Sequence, residues 1–77
     1  MNDTKIEFTR HALRKLRHRK LRERDVIKTI FEPEKLVLDK NRFNAFRKSG
    51  RLYLKVVFTK LGDIIIIITQ HLTDKLK

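Results

Sequence analysis

Five consecutive isoleucines, Ile64 to Ile68, constrain the fold of this chain more than any other feature. The run is too short for a buried helix, and β-branched side chains favour extended backbone. A continuous apolar run of this length is typical of a strand buried on both faces, so we predict a central strand that begins at Ile64 and extends to Thr69 or His71. The run is also far shorter than the roughly 20 residues that span a bilayer, so we expect no membrane-spanning segment.

Three stretches before the isoleucines also predict strands. Lys35–Leu38 is a short apolar run, and the stretches 42–48 and 51–59 are separated by Ser49-Gly50, which is typical of a tight hairpin turn. Side chains alternate in the stretch 51–59, where Leu52, Leu54, Val56 and Phe58 share one face and Tyr53, Lys55 and Thr59 the other. We therefore predict an antiparallel meander of about four strands.

The residues before Pro33 predict two helices. Thr9 suits an N-cap, and the first apolar stripe runs from Ala12 to Leu16, in a helix that ends near Arg19. A second stripe begins at Val26 and does not continue the first, so we expect a break at residues 20–22. Pro33 ends the second helix.

These elements predict a single α+β domain over residues 1–77. Two N-terminal helices pack on one face of an antiparallel meander sheet of about four strands, with Tyr53 and Lys55 on the other face. The alternation of Ile6, Glu7 and Phe8 is compatible with an additional short N-terminal edge strand.

The charge of the chain is strongly one-signed. Lys and Arg number 20 against 9 Asp and Glu, which gives a net charge of +11. Such an excess predicts a polyanionic partner, with nucleic acid the first candidate. An acidic protein, an anionic membrane surface, or solubility alone are the alternatives.

The absence of cysteine favours a cytoplasmic protein without disulfides. Three histidines without close acidic or cysteine companions predict no metal site, and we expect no cofactor.

Several short motifs form one pattern over about residues 6–71. They are Phe8-Thr9-Arg10-His11-Ala12, Arg19, Leu21, Asp25-Val26, Glu32-Pro33, Leu54-Lys55-Val56-Val57-Phe58 and Ile67-Ile68-Thr69. This pattern resembles a family of small prokaryotic domains grouped with the RelE/ParE toxin superfamily, within the barnase, EndoU, colicin and RelE ribonuclease fold. The chain departs from the family at Lys20 and Arg22, where relatives carry small or capping residues, and at His71, where they often carry an aromatic residue.

The resemblance implies a metal-independent ribonuclease-like fold that binds RNA on the sheet face away from the helices. It implies a toxin that acts on free or ribosome-bound RNA and is neutralised by an acidic antitoxin protein. Whether the chain is a monomer or a homodimer is left open.

Cleavage of RNA without metal requires a base for the 2′-hydroxyl, an acid for the 5′-oxygen and cations around the phosphorane. His71 is the first candidate because imidazole titrates near neutral pH and the residue ends the predicted central strand. His11, in the first turn of the first helix, is the second, and Lys55 and Tyr53 complete the candidate catalytic set. For each histidine, a solvated surface position is the alternative.

Cations on the helices and strands are candidates for nucleic-acid binding. An open sheet that carries cations beside an aromatic residue suits phosphate contact and base stacking. The candidates are Arg14, Lys15, Arg19, Arg47, Arg51 and Lys55.

Two other functions are compatible with the same residues. One is a non-catalytic nucleic-acid-binding module of the same fold. The other is a helix-turn-helix DNA binder, which is disfavoured because residues 20–22 lack turn chemistry and the second helix is mostly apolar.

Overall fold

The computed structural model describes residues 4–74. It contains two helices and five strands, in the order β1 (Lys5–Phe8), α1 (Arg10–His18), α2 (Glu23–Phe31), β2 (Lys35–Asp39), β3 (Arg42–Ser49), β4 (Leu52–Leu61) and β5 (Ile64–Thr73). Neither helix has the length and apolar character needed to cross a membrane.

The strands form one sheet in the order β1-β5-β4-β3-β2. Strands β2 to β5 pair antiparallel with their neighbours, whereas β1 pairs parallel with β5. The broad α+β class is therefore confirmed. The prediction was an antiparallel meander of about four strands with a possible N-terminal edge strand. The sheet has five strands and is mixed rather than wholly antiparallel, because that edge strand joins it in parallel.

The hydrophobic core lies between the helices and one face of the sheet. Alternate residues of β4 supply Leu54, Val56 and Phe58, and the helices supply Ala12, Leu16, Val26 and Ile30. Tyr53 and Lys55 alternate with these residues and therefore lie on the opposite face, as predicted. We call that opposite side the open face.

The isoleucine run occupies an interior strand, as predicted, but it is not buried on both faces. Ile65 and Ile67 are buried in the core, at 4% and 0% exposure, whereas Ile64, Ile66 and Ile68 are only half-buried. The reason is that both helices pack on the same face, so neither helix of residues 4–74 covers the open face.

A β-bulge at Ile68 changes which side chains of β5 face the core. Val57 pairs with Thr69, but the next residue of β4, Phe58, pairs with Ile67, so Ile68 is an extra residue. Before the bulge the odd-numbered side chains point to the helices, and after it the even-numbered Gln70 does, at 0% exposure. His71 consequently lies on the open face.

Helix α1 is tied to this bulge. The Thr9 hydroxyl accepts a hydrogen bond from the Ala12 amide at 3.0 Å, which caps the helix, and donates to the Ile68 carbonyl at 3.1 Å. The Thr9 amide donates to the Ile67 carbonyl at 3.0 Å. One residue therefore caps α1 and fixes its start against β5.

The break between the helices is a C-terminal cap built without glycine. Lys20 adopts a left-handed backbone, with φ of 55°. The Leu21 amide donates to the Leu16 carbonyl and the Lys20 amide to the Arg17 carbonyl, which is the Schellman pattern. A lysine at this position carries a strain that glycine would not.

We expect Thr9→Val to lower the free energy of unfolding by about 1–2 kcal/mol, because it removes the cap and the bond to the bulge while conserving shape. Chemical denaturation measures the change. Thr9→Ser is the control and retains most of the stability, since its hydroxyl can make both bonds. Equal loss in the two variants would contradict this role for the hydroxyl.

Candidate nucleic-acid interface

The centre of the candidate site is a cross-strand pair on the open face. His71 of β5 lies directly opposite Lys55 of β4. Side chains directly opposite in an antiparallel pair have Cβ atoms about 4.5–5.5 Å apart. The imidazole is therefore held beside an ammonium group at the end of β5 that β1 does not cover.

Helix α1 adds two more cations to this pair. The pKa of His71 is held below its ordinary value of 6.5. Partial burial is the largest cause, and the positive charges of Lys55, Arg19 and Lys15 lower the pKa further. Lys15 lies in α1, and Arg19, the C-cap residue of that helix, follows one turn later on the same side. We call Lys15, Arg19, Lys55 and His71 the His71 cluster.

Gln70 holds α1 in the position that this cluster requires. Its side chain is fully buried, and its amide donates to the Ala12 carbonyl in α1 at 2.8 Å. Together with Thr9, this bond fastens the first turns of α1 along β5. The later turns, which carry Lys15 and Arg19, are thereby directed toward His71.

Phe46 positions the Lys55 side chain through a contact between the two residues on the open face. It lies opposite Lys55 on the open face of β3 and is nevertheless 1% exposed. The Lys55 ammonium stands 5.7 Å from the centre of the Phe46 ring, within cation–π range. The charge is therefore held over an aromatic surface rather than extended freely into water.

The open face around the cluster is cationic and carries one tyrosine. Tyr53 is half-buried and lies opposite Lys48 on β3 and Thr73 on β5. By strand alternation the open face carries these cations: Lys5, Lys35, Arg42, Lys48 and Lys55. The same strands bring only Glu7 and Asp39 to that face, so the surface favours a polyanion.

The structure separates the predicted site residues into two groups. His71, Lys55, Lys15 and Arg19 come together, and Tyr53 lies beside them on the open face. His11 is exposed on the same side of α1 as Lys15, one turn earlier. A catalytic role for His11 therefore stays a prediction.

The other three predicted cations are not members of the cluster. Arg14 is exposed on the outer side of α1, where it lines one depression with Arg10 and Arg17 and a second with Lys15 and Arg19. It is not among the charges that lower the pKa of His71. The prediction that Arg51 belongs to the strand is wrong, because the strand begins at Leu52 and Arg51 is exposed in the turn before it.

Arg47 lies on the helix side of the sheet. Its guanidinium donates to the Glu32 carbonyl at the end of α2 at 2.7 Å, and it is 4.0 Å from the Glu32 carboxylate. This contact gives Arg47 a structural role at the helix C-terminus.

Sequence reasoning missed Phe46, Gln70 and the closeness of α1 to His71. The position of Phe46 on the open face could have been predicted, because simple alternation in β3 puts it on the face opposite Ala45. The burial of Gln70 and the contact of α1 with His71 could not have been predicted from the sequence, since both depend on the bulge.

Within residues 4–74, no three His, Cys, Asp or Glu side chains lie close enough to hold a metal ion.

We expect the pKa of His71, measured by NMR titration, to lie below 6.5. Lys55→Gln should raise it, because removal of a nearby positive charge favours the protonated imidazole. Arg14→Gln removes the same charge from the outer side of α1 and should leave the pKa unchanged. An equal shift in both variants would show that the effect depends on net charge rather than on the cluster.

Comparison with known proteins gives no match: no protein-family model, no curated protein and no solved structure is significantly similar to this chain.

Proposed function

We propose that this chain is an RNA-binding, metal-independent endoribonuclease of the toxin type. The observation that carries the proposal is the His71–Lys55 pair on the open face, flanked by Lys15 and Arg19 of α1. The resemblance of the sequence to RelE/ParE domains supports the same function, as does the placement of the candidate surface away from the helices.

In this reaction the neutral imidazole of His71 removes the proton from a ribose 2′-hydroxyl. The 2′-oxygen attacks the adjacent phosphorus, the bond to the 5′-oxygen breaks, and that oxygen takes a proton from the Lys55 ammonium. The products carry a 2′,3′-cyclic phosphate and a free 5′-hydroxyl. Arg19 and Lys15 stabilise the negative charge that the phosphorane develops.

The lowered pKa of His71 suits this role. A base must be unprotonated before it can act, and a pKa below 6.5 keeps most of the imidazole neutral at pH 7. The rate should therefore rise with pH through that pKa and level off above it. The same charges that lower the pKa attract the phosphate, so one cluster serves both binding and catalysis.

A non-catalytic RNA-binding module is the second candidate. It is favoured by the charge distribution of the open face, where cations outnumber carboxylates and Tyr53 offers a ring for base stacking. Binding requires only this surface and no proton transfer by His71. In either case we propose a cytoplasmic protein whose positive charge is neutralised by an acidic antitoxin.

We expect the purified protein to cleave single-stranded RNA in the presence of EDTA, with products that end in a 2′,3′-cyclic phosphate. His71→Ala should lower the rate at least about 100-fold, the usual contribution of a general base. Lys55→Ala should also lower it, whereas Arg14→Ala, which removes a cation outside the cluster, should not. Gel electrophoresis of end-labelled RNA measures the rates, and wild-type activity no higher than that of His71→Ala would leave only the binding module.

We expect RNA affinity to fall steeply with salt, since binding releases counterions from the phosphates. Fluorescence anisotropy in EDTA over a salt series, with RNA whose 2′-hydroxyls are methylated to prevent cleavage, measures the slope. Lys15→Met should reduce the slope. Arg47→Met, which removes a charge from the helix side, should change it less, and an equal change in both would contradict the proposed surface.

A further inference from the structure

The strand β2 leaves an apolar edge of the sheet uncovered. It is the last strand in the sheet order, and no strand within residues 4–74 pairs with its outer backbone groups. Leu36 and Leu38 are 50% and 64% exposed, and the nearby Phe31 of α2 is 47% exposed. Natural proteins usually protect edge strands with charges, proline or bulges, because such an edge can pair with another chain.

The other edge of the sheet differs in this respect. Strand β1 has its apolar side chains, Ile6 and Phe8, packed against the core. The exposed leucines of β2 lie on the helix side instead, where a groove formed by Ile30, Phe31 and Phe43 continues toward Leu36. Of the two edge strands, β2 is therefore the one whose large apolar side chains are exposed.

The sequence of β2 is complementary to itself when two copies run antiparallel. It reads Lys35-Leu36-Val37-Leu38-Asp39. If Val37 faces Val37 of a second copy, each Lys35 faces the other copy's Asp39, and each Leu36 faces the other copy's Leu38. The register thus matches opposite charges on the open face and leucines on the helix face.

We propose that β2 is a homodimerisation edge, and that two copies of this chain join through antiparallel β2–β2 pairing centred on Val37. Isologous pairing about a two-fold axis is the commonest form of homodimer. The axis is perpendicular to the sheet, so both open faces lie on the same side of one continuous sheet. Two His71 clusters are then presented to the same side, and the leucines and Phe31 of both copies form one apolar strip.

The charge of the chain determines how this dimer responds to salt. Each copy carries +11, so the copies repel one another at long range. Salt screens that repulsion, and the dimer should therefore strengthen as salt rises, in contrast to RNA binding. The interface is small, and we expect dissociation constants in the micromolar range.

A single cysteine tests the register. The chain contains no cysteine, and Val37 is the residue that meets itself across the axis. Val37→Cys should form an intermolecular disulfide under mild oxidation much faster than Leu36→Cys, whose counterpart is Leu38. Leu36 is the more exposed of the two side chains, so random collision would favour the opposite order. Equal or reversed rates on non-reducing gels would overturn the proposal.

A charge exchange tests the pairing independently. Lys35→Asp and Asp39→Lys each place like charges opposite one another twice per dimer, and each should weaken the dimer about tenfold. The double exchange restores both pairs and should restore the affinity, while Asp63→Lys in the β4–β5 turn is the control for charge alone. Sedimentation equilibrium at several salt concentrations measures the constants, after circular dichroism has verified each fold.

The outcome for Lys35→Asp distinguishes an effect of overall charge repulsion from an effect of the Lys35–Asp39 pairs. This variant lowers the net charge and would strengthen any association governed by overall repulsion. Weakening by Lys35→Asp together with recovery in the double exchange supports the β2 pairing. A monomer at all concentrations and salts, or a dimer that these exchanges leave unaffected, overturns it, and the RNA experiments are unchanged by either result.

Discussion

The structure depends on the bulge at Ile68 and on the hydrogen bonds by which Thr9 ties α1 to it. A strand with strict alternation would send His71 to the same face as Ile65 and Ile67, into the core beneath the helices. The extra residue inverts the phase, so Gln70 enters the core and His71 reaches the open face. Thr9 both caps α1 and bonds to the bulge. The direction of the helix and the choice of which β5 side chains face the core are therefore set together.

The His71 cluster is a consequence of that arrangement, and it has an electrostatic cost. Lys15, Arg19 and Lys55 repel one another and disfavour a protonated imidazole. The fold holds them close through Gln70, which is bonded to α1, and through Phe46, which supports the Lys55 ammonium. In the function we propose, cations that are assembled in advance spend little free energy on reorganisation when a phosphate binds, and this offsets the cost of holding them together.

The two faces and two edges of the sheet have different physical characters. The helix face packs against the two helices in the hydrophobic core, whereas the open face is cationic. At the β1 edge the apolar side chains pack against the core, and at the β2 edge they are exposed. In the dimer we propose, the excess of positive charge opposes self-association and the β2 edge favours it. Under our two proposals, higher ionic strength strengthens self-association and weakens binding of a polyanion.

The sequence alone determined the elements, because hydrophobic periodicity, the Thr9 cap, Pro33 and the Ser49-Gly50 turn are local signals. It also placed Tyr53 and Lys55 opposite the core, since alternation in β4 is regular. Only the tertiary structure decided the parallel pairing of β1, the one-sided burial of the isoleucines and the meeting of α1 with His71. These features depend on contacts between residues more than fifty positions apart, such as Thr9 with Ile68, and on one inserted residue that no local pattern reveals.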